Sequence, residues 1–244
     1  MGKGQVSTEV IERRFREAAI PLRLESRWSW FSVRADRSGA RERIRLTPGD
    51  AEITVLDLDR ELRQLLMLVR DKDGYGRPSK EKYLCGQDER SLFAVRVGTS
   101  DNPLNSVAQA HEALKPYDLR HPRVRRRNRM RRGQRRRPPR YLEPRVVRQG
   151  DWFFDPNPAM ELDRYRPTRR NVRLGNWGGN PHVVEYLIGN PFEIFRPSRW
   201  PWPYGGYVYA RGFVRHPEHK PIHLRCWHRV LPNAASQAMG WAVD

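Results

Sequence analysis

Apolar positions recur first at helical spacing and then, over most of the chain, at strand spacing. Between Ser7 and Ala19 the residues Val10, Ile11, Phe15, Ala18 and Ala19 fall on one side of a helix, with Ser7 or Thr8 as cap and Pro21 as stop. The runs WSWFSVR (28–34), RIRL (43–46) and LFAVRV (92–97) read as strands, the first two separated by the turn-forming RSGA. Residues 51–70 carry two patterns. AEITVL favours a strand, whereas DRELRQLLMLV has helix formers, with Asp57 or Asp59 as cap and Leu62, Leu65, Leu66 and Val69 on one face. A short helix is expected from Ser106 to Leu114, turning Val107, Ala110, His111 and Leu114 to a sheet before Pro116 ends it. His111 in that place reads as a core histidine. Residues 1–118 are therefore expected to form a small α+β domain.

Beyond residue 140 the pattern changes to period two, broken by Gly, Asn and Pro. Val146 and Val147, WFF (152–154), HVVEYLI (182–188) and EIF (193–195) are short apolar runs of this kind, with a basic loop, RYRPTRRNVR, at 164–173. Residues 141–244 are expected to form a mostly-β domain, a small barrel or sandwich, ending in a hairpin rich in His, aromatic and Arg residues.

Charge separates these two regions. The 29 residues from Arg120 to Arg148 hold 14 arginines, no lysine and one acid, Glu143, a net +13 of the chain's formal +19. So few apolar residues cannot offset the entropy of ordering the segment, and like charges oppose its compaction. Residues 119–140 are thus expected to be a disordered linker or arm. The arginine fork matches phosphate oxygens and stacks on bases, so a polyanion is the natural partner of Arg123, Arg125, Arg126, Arg127, Arg129, Arg131, Arg132, Arg135, Arg136, Arg137 and Arg140. Against this stands the excess of arginine over lysine in the whole chain, 41 to 6, part of which can reflect genomic base composition.

The hairpin adds a second basic element. Its strands, 207–216 and 222–230 around the turn PEHKP, place Tyr209, Arg211, Phe213, Arg215 and Trp227 on one face, where aromatics can stack on bases and arginines hold phosphates. The opposing expectation is that these aromatics pack beneath a neighbouring layer while the arginines reach out. His216, His219, Cys226 and His228 are the candidates should zinc be held. A five-residue turn pairing His216 with Ile222 would set Val214 opposite Leu224, Gly212 opposite Cys226 and Ala210 opposite His228. His216 and His228 would then be about 20 Å apart, too far for one ion. Only Cys226 with His228, or His216 with His219, converge, and each pair needs help from elsewhere, for example His182. No metal or other cofactor is therefore assigned, and no catalytic residue. A thiol and an imidazole two residues apart on one strand run parallel rather than into hydrogen-bond reach.

The remaining signals exclude. The loop DKDGYGRPSKEK lacks the later ligands and final glutamate of a calcium loop. No run of eighteen apolar residues occurs, MGKGQVSTEVIERRF lacks a secretory apolar segment, and Val6 stands where N-myristoylation favours Ser or Thr. Cys85 and Cys226 are too few for a disulfide framework. A soluble cytoplasmic protein without membrane partners is expected. The favoured function is nucleic-acid binding, RNA slightly ahead of DNA, with the arm on phosphates and the hairpin face on bases or shape. The alternatives are a metal-assisted hydrolase or nuclease using the His/Cys cluster, and a structural or assembly subunit of a nucleoprotein complex.

Overall fold

The computed structural model describes residues 8–26, 30–36, 41–72, 75–89, 91–99, 104–120, 145–157, 168–174, 181–194 and 208–234. The chain divides into two compact units, 1–114 and 115–244, each with its own core.

The first unit begins with α1 (Thr8–Glu17), which buries Ile11 and Phe15. It ends in a Schellman arrangement: Ala19 takes a left-handed φ of 53°, and Ile20 N–H reaches the Phe15 carbonyl at 2.9 Å. Seven strands follow: β1 (Leu22–Leu24), β2 (Ser32–Asp36), β3 (Arg43–Thr47), β4 (Glu52–Asp59), β5 (Gln64–Lys72), β6 (Pro78–Asp88) and β7 (Ser91–Thr99). The first three form a sheet of order β1-β3-β2, the other four an antiparallel meander, β4-β5-β6-β7. Phe15 of α1, Ile44 and Leu46 of β3, and Leu65, Met67 and Val69 of β5 share one core. Each such side chain removed from water contributes about 1.5–3 kcal/mol. Helix α2 (Val107–Leu114) closes the unit, its first amide, that of Val107, donating to the Asp57 carboxylate of β4 at 2.7 Å.

In this unit one open alternative is decided and one expectation fails. The segment 57–69 is no helix: Asp59 and Gln64 bracket a turn, Arg63 adopts φ 53°, and Gln64–Val69 is the buried run of a central strand between β4 and β6. Burial on both sides accounts for QLLMLV as well as a helical stripe does, and the pairing partners decide between them. With β6 added, which carries a polar N-terminal half, the unit is mostly β and not α+β. His111 is half-buried and bonds Gln64 Oε1 at 2.6 Å, holding α2 to β5.

The second unit opens with a four-residue helix, α3 (Tyr117–Arg120). Six strands, β8 (Val147–Gln149), β9 (Trp152–Pro156), β10 (Arg169–Leu174), β11 (His182–Ile188), β12 (Tyr209–His216) and β13 (His219–Pro232), form one antiparallel sheet of order β10-β11-β12-β13-β9-β8. That sheet is not closed, and it is the one sheet of this unit among the described residues, so neither the expected barrel nor the expected sandwich is formed by them. Glu193 and Ile194, read in the short apolar run 193–195, belong to a 3-10 turn, Pro191–Ile194, and Arg169–Arg173 of the basic run 164–173, expected in a loop, lie in the edge strand β10. Trp152, Phe154, Leu174, Val184, Val214, Leu224 and Val230 make the core on its inner face. Of the expected arm 119–140, Leu119 and Arg120 end α3 and all the rest lies outside the described residues. Among the described residues no helix is long and apolar enough to cross a membrane.

Candidate nucleic-acid interface and histidine cluster

Strand alternation sorts the second sheet into two chemically distinct faces. On β12, Ala210, Gly212, Val214 and His216 are buried while Arg211, Phe213 and Arg215 between them are exposed. Register extends the exposed set across neighbouring strands. Arg173 of β10, Val183 of β11 and Arg215 of β12 form one row, Arg170, Tyr186 and Arg211 another, and Phe213 faces His223 of β13. Adjacent strands lie about 4.8 Å apart, so two arginines separated by one strand stand roughly 10 Å from each other.

The aromatics of this face are held by cations. Arg170 lies over Tyr186 at 5.3 Å, Arg215 over Phe213 at 5.2 Å, and the Phe213 and His223 rings stack at 4.6 Å. Phe213 is nevertheless 41% exposed. Glu185, at the bulge of β11, is the acid of this region, accepting the Phe213 amide at 2.9 Å.

The other two aromatics of the sequence reading sit elsewhere. Tyr209 and Trp227 are buried, 6% and 5% exposed, and pack with Ile188 and the half-buried Tyr186. They form a buried cluster separate from the inner core, on the side of the sheet that carries Tyr186, and their burial leaves little ring surface for a base. The arm residues Arg123, Arg125, Arg126, Arg127, Arg129, Arg131, Arg132, Arg135, Arg136, Arg137 and Arg140 lie outside the described residues.

The hairpin turn departs from expectation. His216 pairs with His219 across Pro217 and Glu218, not with Ile222, and a register shift before it sets Val214 opposite Ile222 and Gly212 opposite Leu224. A second shift restores Ala210 opposite His228. The tight turn brings His216 and His219 together, and β11 begins beside them with His182. Ring centroids are 4.3 Å apart for His182 and His216, 4.7 Å for His216 and His219, and 5.5 Å for His182 and His219. One ring nitrogen from each lies within 4.8 Å of the others.

His182 is 1% exposed, and both its ring nitrogens are buried without a hydrogen-bond partner among the described residues. Leaving such a group unsatisfied costs about 1–3 kcal/mol. Burial, then the neighbouring His216 and His219, drives its pKa down to about 3, so the ring is neutral at physiological pH. Gly150, in the β8–β9 turn at φ 55°, makes room for the cluster: a Cβ there would stand 2.8 Å from His219 Nε2 and 3.3 Å from His182 Cε1.

Cys226 and His228 are apart from this set. Sγ does come within 3.8 Å of His228 Nδ1, closer than parallel strand side chains suggest, but that nitrogen also lies 2.8 Å from the Cys226 carbonyl. A carbonyl only accepts, so Nδ1 carries the proton and offers the thiol no base. Burial raises the Cys226 pKa and lowers that of His228, the reverse of what a thiolate–imidazolium pair needs.

The sequence offers two pairs, His216 with His219 or Cys226 with His228, each needing help from elsewhere such as His182, and assigns no metal; it does not name Gly150, whose closeness only the β8–β9 turn reveals. The basic run 164–173 reads as a loop that could extend the anion-binding surface; that Arg169, Arg170 and Arg173 stand on an edge strand depends on pairing with β11. No family model, curated protein or solved structure matches the chain.

Proposed function

We propose that this protein binds nucleic acid, RNA slightly ahead of DNA, as a cytoplasmic binding module. The observation that carries the reading is Phe213, an exposed ring on an open sheet face, set among Arg211, Arg215, Arg170 and Arg173. An aromatic platform stacks on any base at about 1–3 kcal/mol, and flanking guanidinium groups hold the phosphates on either side. The +13 segment from Arg120 to Arg148 supplies the larger, sequence-independent share of affinity by releasing counterions. Single strands suit this combination best, because their bases are free to leave the stack.

The test is binding of the intact chain to fluorescent single-stranded RNA, single-stranded DNA and duplex over a range of salt. With about six arginines engaged, affinity falls on the order of a thousandfold between 50 and 200 mM salt. Replacing Arg125, Arg126, Arg127, Arg131, Arg132, Arg135, Arg136 and Arg137 with glutamine flattens that slope for all sequences alike. A steep slope surviving the replacement places the phosphate site on β10 instead. Absence of binding at low salt by folded protein ends the proposal.

A further inference from the structure

We propose that His182, His216 and His219 form a binding site for a divalent transition metal of the zinc class, which fastens the β12–β13 turn to the start of β11. Four observations converge on it. Three imidazoles from three strands each bring a nitrogen within 4.8 Å of the others. In tetrahedral zinc coordination, with Zn–N near 2.0–2.1 Å, ligand nitrogens stand about 3.4 Å apart, so modest ring rotations close the set. Imidazole nitrogen is a donor this class of ion favours over calcium or magnesium.

Second, His182 is 1% exposed, and neither ring nitrogen meets a hydrogen-bond partner among the described residues. Buried imidazoles of purely structural purpose are normally satisfied through at least one nitrogen. Here a buried ring nitrogen lies among two further imidazoles.

Third, the β8–β9 turn contributes a glycine where any side chain would occupy the space. A Cβ at Gly150 would lie 2.8 Å from His219 Nε2 and 3.4 Å from His182 Nε2. Fourth, the neighbouring Gln149 donates its amide to the Lys220 carbonyl at 2.6 Å, leaving its Oε1 buried without a partner among the described residues. Gln149 precedes Gly150 and Lys220 follows His219, so this bond ties the β8–β9 turn to the histidine-bearing turn.

His216 accepts the Glu218 amide through Nδ1 at 3.2 Å, a long bond that ligation either replaces at that nitrogen or reverses by moving the ring proton. The cluster sits on the inner side of the sheet, where His216 continues the buried positions of β12, whereas Phe213 and Arg215 project from the outer side. Metal binding is therefore separable from nucleic-acid binding, and either reading can fail alone.

The experiment uses the full chain, stripped by chelator and titrated with zinc chloride, then with cobalt(II). One zinc per chain is expected, with a zinc-dependent rise in melting temperature and visible d–d bands from cobalt without a thiolate charge-transfer band. His219→Gln, at the half-buried member, weakens zinc at least about a hundredfold, while Cys226→Ser and His228→Asn leave it unchanged. His182→Phe fills the space with an apolar ring and abolishes binding as a second test. The proposal is overturned if folded wild type takes up no zinc at micromolar concentration, leaving a metal-free histidine stack. It is equally overturned if uptake survives both histidine variants, or if cobalt shows thiolate ligation. Should both histidine variants misfold, wild-type stoichiometry and the cobalt spectrum decide.

Discussion

Phe213 and His223 face each other across β12 and β13 with their rings stacked at 4.6 Å, while the next residue pair inward, Val214 and Ile222, turns to the core side. A single register thus fixes both an exposed aromatic platform and the packing beneath it. Phe213→Ala is expected to lower affinity for single strands about 5- to 150-fold, the equivalent of one stacked base, and to leave the melting temperature nearly unchanged. Trp227→Ala, removing a buried ring, is expected to destabilise the second unit by about 3–5 kcal/mol. Anisotropy titrations beside thermal melts separate the two effects. Equal binding by wild type and Phe213→Ala would remove the platform from the proposal.

What could be read from sequence divides along the same line between local pattern and long-range pairing. Helix α1 was legible because Ile11 and Phe15 fall on one stripe and Pro21 ends the run. The alternation of β12 was legible too, since buried Val214 and exposed Arg215 differ in chemistry at period two. The buried run Gln64–Val69 was not, because an apolar stretch of that length serves a helix face or a central strand equally well. Strand β6 was hidden by its polar beginning, Pro78 to Lys82, which reads as loop until paired with β5. At the hairpin, two register shifts were invisible. One of them decides whether His216 meets Ile222 or His219, and therefore whether the histidines gather.

Gly86 and Gly76 should respond differently to the same substitution. A Cβ on Gly86 would stand 2.7 Å from the Arg63 carbonyl and press on Gln64, whose side chain holds His111 of α2. Gly76→Ala meets nothing within 4 Å and suffers only its left-handed φ of 76°. Gly86→Ala is expected to cost about 2–3 kcal/mol, Gly76→Ala about 1 kcal/mol. Urea melts of the two variants measure this, and a larger loss for Gly76→Ala would contradict the close packing of β5 against β6.

The two thiols differ in access. Cys85 is fully buried and Cys226 half-buried, and burial raises the pKa of both. Alkylation of the native protein at neutral pH is expected to spare Cys85 and to modify Cys226 slowly, with both reacting at once in denaturant. Mass spectrometry of the labelled chain gives the rates. Rapid native labelling of Cys226 would indicate a thiolate and reopen the question of catalysis by Cys226 with His228.

His228 makes stability depend on pH in a defined direction. The ring is 3% exposed, and burial lowers its pKa below the ordinary 6.5, partly countered by the Cys226 carbonyl and by Asp155. The folded state therefore holds it neutral, whereas the unfolded chain takes up a proton once the pH drops below about 6.5. Protons bound preferentially by the unfolded chain destabilise the fold. The contribution of His228 is accordingly complete above pH 6.5 and declines from there towards its lower folded pKa. His228→Asn keeps a donor for the Cys226 carbonyl and removes the titration, so melting temperatures measured between about pH 7 and 5 should fall less steeply than in wild type. Parallel curves for the two proteins would mean that His228 is protonated alike in both states, and that its burial is incomplete in solution.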